Sequence, residues 1–189
     1  MNILKHIMRP LKSALLVIDV QHGLFDETPR PYEAAAVIAR INGLTEKARC
    51  AKVPVVFIQH ERPSGFLEQG SDSWQLQADL VVVAGDVKIR KTTPDSFLRT
   101  NLAELLSSWG TEEITICGYA SEFCVDTTTR RAAALGYPVV LVADAHTTHD
   151  KDHATAQQIR AHHNATLSNI ASFGPPIKAM LASEIAFGG

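Results

Sequence analysis

Ile114-Thr-Ile-Cys-Gly-Tyr-Ala-Ser-Glu-Phe-Cys124-Val-Asp-Thr-Thr-Thr-Arg-Arg-Ala-Ala-Ala-Leu-Gly136 reads as a buried strand that passes through a glycine into a helix. Ile114–Cys117 is β-branched or apolar and ends at Gly118, the pattern of a strand covered on both faces. From Glu122 the period becomes helical, with Phe123, Val125, Ala132 and Leu135 apolar and Gly136 as the stop. Cys124 therefore falls at or near a helix N-terminus. Unpaired N–H groups and the helix dipole there favour a thiolate, which makes this sulfur a candidate nucleophile.

Outward from that stretch, strands and helices alternate. Ala14–Ile18, Val53–Gln59, Asp86–Ile89 and Pro138–Val142 read as strands, with Asn169–Ser172 as a last one. Tyr32–Ala51, Ser96–Trp109 and Lys151–Leu167 read as helices, and prolines open a closing helix over 175–187. The alternation predicts an α/β fold with three layers, α/β/α: a six-stranded, mostly parallel sheet with helices on both faces. The 189 residues fit a single domain, 1–189, with its core over about 13–174. Glu61–Gly85 is long and irregular, and is the candidate lid.

The composition is that of an ordinary globular protein, 46% apolar and 20% charged, and the net charge of −2 predicts no nucleic-acid or membrane partner. Three cysteines without paired spacing argue against a disulfide framework. Met1–Lys12 lacks a sustained apolar run, so no signal peptide is expected, and the compartment expected is the cytoplasm.

In a parallel sheet the carboxyl ends of the strands share one crevice. Asp19 ends the first strand, Gln59-His60 the second, Lys91 lies past the third, Cys124 follows the fourth and Asp144-Ala145-His146 the fifth. Asp19 could take the thiol proton and return it to a leaving group, and Lys91 could hold the acid ionised and support a thiolate. The backbone N–H of Cys124 and one from the preceding loop could bind an oxyanion. Taken singly, these residues have plainer readings. Asp19 could form a structural ion pair and Lys91 could be a solvated surface cation. Cys117, in a strand, and Cys50, near a helix end, read as inert packing residues.

Four segments resemble the isochorismatase-like cysteine hydrolases, the superfamily of nicotinamidases, N-carbamoylsarcosine amidase and ureidoacrylate or biuret amidohydrolases. They are Leu15-Leu-Val-Ile-Asp19-Val-Gln21 with Phe25; Lys91 with Asp95-Ser96-Phe97; Gly118-Tyr-Ala-Ser-Glu-Phe-Cys124-Val125; and Gly136 through Asp144-Ala145. The resemblance implies an Asp19–Lys91–Cys124 triad and an oxyanion hole from the Ala120 and Cys124 amides, with a cis peptide before Ala120. It also implies homo-oligomers. Ser121 stands where many relatives have Thr, so the hydroxyl is kept. The metal-binding Asp-x-His pair of nicotinamidases is replaced by Gln59-His60-Glu61-Arg62, so no metal and no other cofactor are expected.

The first reading is hydrolysis of the C–N bond of a small amide, ureide or related carbonyl compound through a thioester. The second is vinyl ether hydrolysis of the isochorismatase type, and the third a redox-sensing or binding module without turnover. Gln21, Phe25, His60 and Tyr119, near strand ends, are the expected pocket residues for a small-molecule substrate. His149 and His153 have the i, i+4 spacing of a shared helical face, although an acidic helix start explains that stretch more simply. No G-x-G-x-x-G follows the first strand and no G-x-S-x-G is present, which argues against dinucleotide binding and a serine hydrolase.

Overall fold

All six residues of β1, Ser13–Ile18, are buried, and alternate ones go to opposite sides. Leu15 and Val17 enter a core closed by α2 (Ala34–Cys50) through Val37, Ile38, Ile41, Leu44 and Ala48. Ala14, Leu16 and Ile18 enter a second core. It is closed by α3 (Leu102–Ser108), α4 (Asp126–Ala134) and α5 (Ala156–Ser168) through Leu102, Leu106, Ala132, Ala133 and Leu167. A strand apolar at every position is thereby satisfied only between two helical layers. The computed structural model describes residues 12–188, so the reading of Met1–Lys12 falls almost wholly outside the described residues.

The sheet order is β3 (Val87–Lys91), β2 (Val55–His60), β1, β4 (Glu113–Tyr119), β5 (Val139–Thr147), β6 (Ile177–Met180), with every neighbouring pair parallel. The strand order reverses between β1 and β4. Loops leaving two such strands diverge and open a crevice at their carboxyl ends. The register pairs Ile18 with Gly118, so Asp19 turns off β1 beside Tyr119, the last residue of β4. Gly118 has φ +117°, and a Cβ on it would lie 2.1 Å from the Ile18 carbonyl oxygen. Only glycine lets β4 approach β1 this closely.

Several elements differ from the sequence expectation. The closing helix over 175–187 is absent; Ile177–Met180 is instead the edge strand β6, with Val139 paired to Ile177. Ladder bonds from β5 outweigh the local helical tendency, while Ile177, Ala182 and Ile185 are buried and close the cores. Asn169–Ser172 is turn rather than strand, with Asn169 ending α5. The helix expected over Ser96–Trp109 begins only at Leu102, because Ser96 is held by Thr128 in the preceding turn. The one expected over Lys151–Leu167 begins at Ala156, where Thr155 and Gln158 form a reciprocal capping box. Cys50 is exposed at the end of α2, not packed.

Glu61–Gly85 holds neither helix nor regular strand, as expected, but it is docked. The N–H groups of His22 and Gly23 in α1 (His22–Phe25) donate to Gln75 and Ser73, and Gln77 N–H donates to Val20. Replacing Gly118 by Ala is expected to cost at least about 3 kcal/mol, because the clash is with backbone at a left-handed φ. Denaturant midpoints of the two proteins measure it.

Candidate active site

The carboxyl ends of β1, β2, β3 and β4 each deliver one polar group to the crevice. β1 stops at Asp19, whose φ of 50° turns the chain off the sheet, a conformation Asp tolerates better than most residues. β3 ends at Lys91 itself, and His60 lies beside it in register at the end of β2. After β4 the Tyr119–Ala120 peptide is cis. The chain then makes a π-helical turn, Ser121–Val125, closed by Val125 N–H donating to Ala120 five residues back. Cys124 therefore sits inside this turn, two residues before α4, and not at the free end of a regular helix.

The three groups that the sequence places at separate strand ends meet. Lys91 Nζ lies 2.7 Å from Asp19 Oδ2 and 3.2 Å from Cys124 Sγ, and 3.4 Å from His60 Nδ1. An ammonium has three N–H groups, and here each faces one acceptor. The Asp19 and Lys91 side chains are 2% and 0% exposed, and Cys124 is half-buried. Asp19 Oδ1 is also buried and has no hydrogen-bond partner.

The electrostatics correct one expectation. Burial, followed by the Asp19 carboxylate, pushes the Cys124 thiol up to about 12 despite Lys91. The resting sulfur is therefore a protonated thiol at neutral pH, not the stored thiolate expected from a helix N-terminus. Burial by itself would pull Lys91 down, but Asp19 and Cys124 outweigh it and hold the ammonium above the usual lysine range. Burial and the neighbouring Lys91 hold His60 below the ordinary histidine value, so it is a neutral acceptor.

A cleft of about 290 Å³ opens over the sulfur. Cys124, Ala120, His60 and Tyr119 line it as expected, and Leu24, Arg62, Phe66, Leu67, Pro94 and Phe123 also do so. Gln21 and Phe25 do not. Gln21 is fully buried and braces the loops, donating to the His60 and Trp74 carbonyls and accepting from His60 N–H. Phe25 is core, edge-on behind Tyr119. Strand-end position foretells proximity to the crevice but not the side to which a side chain turns. From the sequence, Phe66 and Trp74 in the candidate lid could line an apolar pocket or form a satellite core; Phe66 lines the cleft and Trp74 does not, while Leu67 carries no sequence signal.

His146, expected after the fifth strand, is within β5 and fully buried. Asn164 Nδ2 donates to the Ala143 carbonyl, which leaves Oδ1 to accept from His146 Nε2–H. His146 Nδ1 then accepts from the Ser121 hydroxyl, tying the Ser121–Val125 turn to α5. His149 lies outside any helix and bonds Tyr119 Oη, so it shares no helical face with His153. Among the described residues one set, Asp19, His60 and Cys124, brings possible metal-binding atoms within 4.8 Å of one another. The Lys91 ammonium touches all three, so a metal ion there would have to displace it.

A family model, the isochorismatase domain, matches residues 13–172. The chain belongs to the isochorismatase family. It is 39% identical to a streptothricin hydrolase of Streptomyces noursei over 72% of this chain, and the match spans half the length of that relative. It is 29% identical to a ureidoacrylate amidohydrolase of Serratia proteamaculans, over 87% of this chain and 78% of the relative. A solved isochorismatase family protein, 37% identical, superposes with a TM-score of 0.82 over 89% of this chain and 98% of its own. Among the described residues no helix is long and apolar enough to cross a membrane.

Burial pulls His146 down to about 4. Its folded value lies below the unfolded one, so the unfolded chain binds the extra proton between about pH 6.5 and 4, and stability falls as pH drops through that window. The full effect is of order 3 kcal/mol. Thermal midpoints from neutral to acid pH should fall less steeply in His146→Gln than in the parent, whatever the variant's stability at neutral pH.

Proposed function

We propose that this protein is a metal-independent cysteine hydrolase that opens the C–N bond of a small amide, ureide or related carbonyl compound through a thioester on Cys124. One observation carries the reading: Asp19 Oδ1 is buried and unpartnered beside a protonated thiol, while Oδ2 is fixed by Lys91. A buried carboxylate oxygen without a donor is costly, and the thiol proton supplies the missing one. Names of relatives such as the ureidoacrylate amidohydrolase agree with it.

In this mechanism substrate enters the cleft and expels water. Cys124 Sγ forms a bond to the carbonyl carbon as its proton passes to Asp19 Oδ1. The carbonyl π pair moves onto oxygen, which the Ala120 and Cys124 N–H groups receive. When the tetrahedral adduct collapses the C–N bond breaks, and Asp19 returns the proton to the departing nitrogen. Water then attacks the thioester, giving its proton to Asp19, and the sulfur leaves and recovers that proton. Lys91 stays an ammonium throughout, holding Asp19 in place and meeting negative charge as it develops on sulfur. His60 accepts the third N–H bond and keeps the ammonium aimed.

The raised thiol also argues against the redox-sensing reading, since oxidant-sensitive cysteines are low-pKa thiolates. Vinyl ether hydrolysis needs only an acid, so it leaves Cys124 without a role.

Cys124→Ala should lower release of amine or ammonia from a panel of amides and ureides by roughly a thousandfold or more. Retained turnover in that variant would favour vinyl ether hydrolysis and refute the thioester. Asp19→Asn should abolish turnover yet speed alkylation of Cys124 by iodoacetamide near about pH 8, because the carboxylate that raises the thiol is gone. A fall in both rates contradicts transfer of the thiol proton to Asp19.

A further inference from the structure

The cleft is chemically lopsided. Its walls are apolar, from Leu24, Phe66, Leu67, Pro94 and Phe123, and the rims of Phe66 and Phe123 are 41% and 54% exposed. Of the cations that reach it, Lys91 is buried with each N–H facing an acceptor, and His60 is neutral. Arg62 is different. It lines the same cleft, lies close enough to His60 to help hold that ring unprotonated, and among the described residues its guanidinium has no ion-pair partner. Of the carboxylates close to it in sequence, Glu61 lies 3.7 Å from Arg90, and Glu68, whose backbone bridges to that of Arg62, accepts from Gly65 N–H. Asp19 is neutralised by Lys91.

We infer that Arg62 is the subsite for an anionic group of the substrate. The compound hydrolysed is a small amide or ureide with a carboxylate, or an anion of like shape, a few atoms from the scissile carbonyl, its apolar part lying between Phe66 and Phe123. This rests on the reading that Cys124 attacks a carbonyl in this cleft. The physics is selective. A guanidinium offers a planar fork that matches a carboxylate in two bonds, and because Arg62 is itself exposed the pair is open to screening by salt. A cationic substrate group placed at the same point would meet the like charge of Arg62. The cleft volume suits a ligand at the lower end of the small-molecule range.

Two electrophiles of nearly equal size, iodoacetate and iodoacetamide, test the subsite without any known substrate. Each alkylates Cys124: the S–C bond forms, iodide leaves and the thiol proton is released. Only iodoacetate carries the charge. The ratio of the iodoacetate rate to the iodoacetamide rate should fall roughly fivefold or more in Arg62→Gln and be partly restored in Arg62→Lys. The preference in the parent protein should weaken with added salt. An unchanged iodoacetamide rate in the variants reports an intact fold and thiol. A ratio within about twofold of the parent's in Arg62→Gln overturns the proposal. With turnover, matched pairs of a carboxylate-bearing amide and its methyl ester should show Arg62→Gln raising KM for the acid alone. No turnover by the parent on any amide, with the alkylation ratio still sensitive to Arg62, would refute the hydrolase reading and leave the anion subsite standing.

Discussion

The buried contact between Lys91 Nζ and Asp19 Oδ2, at 2.7 Å, is the constraint on which the rest depends. Both side chains are almost fully buried, so each charge would be costly without the other, and losing one partner leaves an uncompensated ion in the core. The pair also spans the sheet: Asp19 ends the central strand β1, and Lys91 ends the edge strand β3 two positions away. β3 runs for only five residues, and the ammonium at its end contacts acceptors at or just past the ends of β1, β2 and β4. The contact thus ties the crevice at the strand-order reversal into one piece.

Neutrality follows from the same pair. Asp19 and Lys91 cancel, and the sulfur beside them keeps its proton. A stored thiolate would leave a net negative charge where water is scarce. The structure avoids that by keeping the proton on sulfur and a free carboxylate lone pair beside it. On the proposed thioester route, nucleophilicity arises only as the new bond forms, and a sulfur that keeps its proton at rest is a poor target for oxidation and alkylation.

Much of this was legible in the sequence, for identifiable reasons. Asp19, Lys91 and Cys124 each follow an apolar strand, and a parallel sheet has one place to gather such ends. The helical layers were legible from the stripe Val37, Ile38, Ile41, Leu44 and Ala48. What was hidden is context. Ile177–Met180 has no alternation of its own and becomes a strand only because β5 offers an open edge. The direction of the Cys124 shift depends on burial and on the distance to Asp19, neither of which local pattern carries. Gln21 and Phe25 lie at the right height in the sheet but turn away from the cleft, a matter of rotamer and loop path. Arg62 and Phe66 belong to a segment without periodicity, so their places come only from its docking against α1.

That docking links the specificity of the site to its chemistry. Gly23 has room for no Cβ, since Ser73 and Phe66 carbons would lie 2.7 and 2.8 Å from it. α1 and the segment 61–85 are therefore pressed together at the point where Phe66 forms the cleft wall. Gln21, on the same turn, holds both His60 and the Trp74 carbonyl. A shift of the segment would move the apolar wall and, through Gln21 and His60, the third acceptor of Lys91. The apolar wall of the cleft and the acceptor that faces the ammonium thus rest on one set of backbone contacts. If the proposed hydrolase reading holds, substitutions along 61–85 that leave the Gln21 brace intact would alter the cleft wall without moving the Asp19–Lys91–Cys124 cluster.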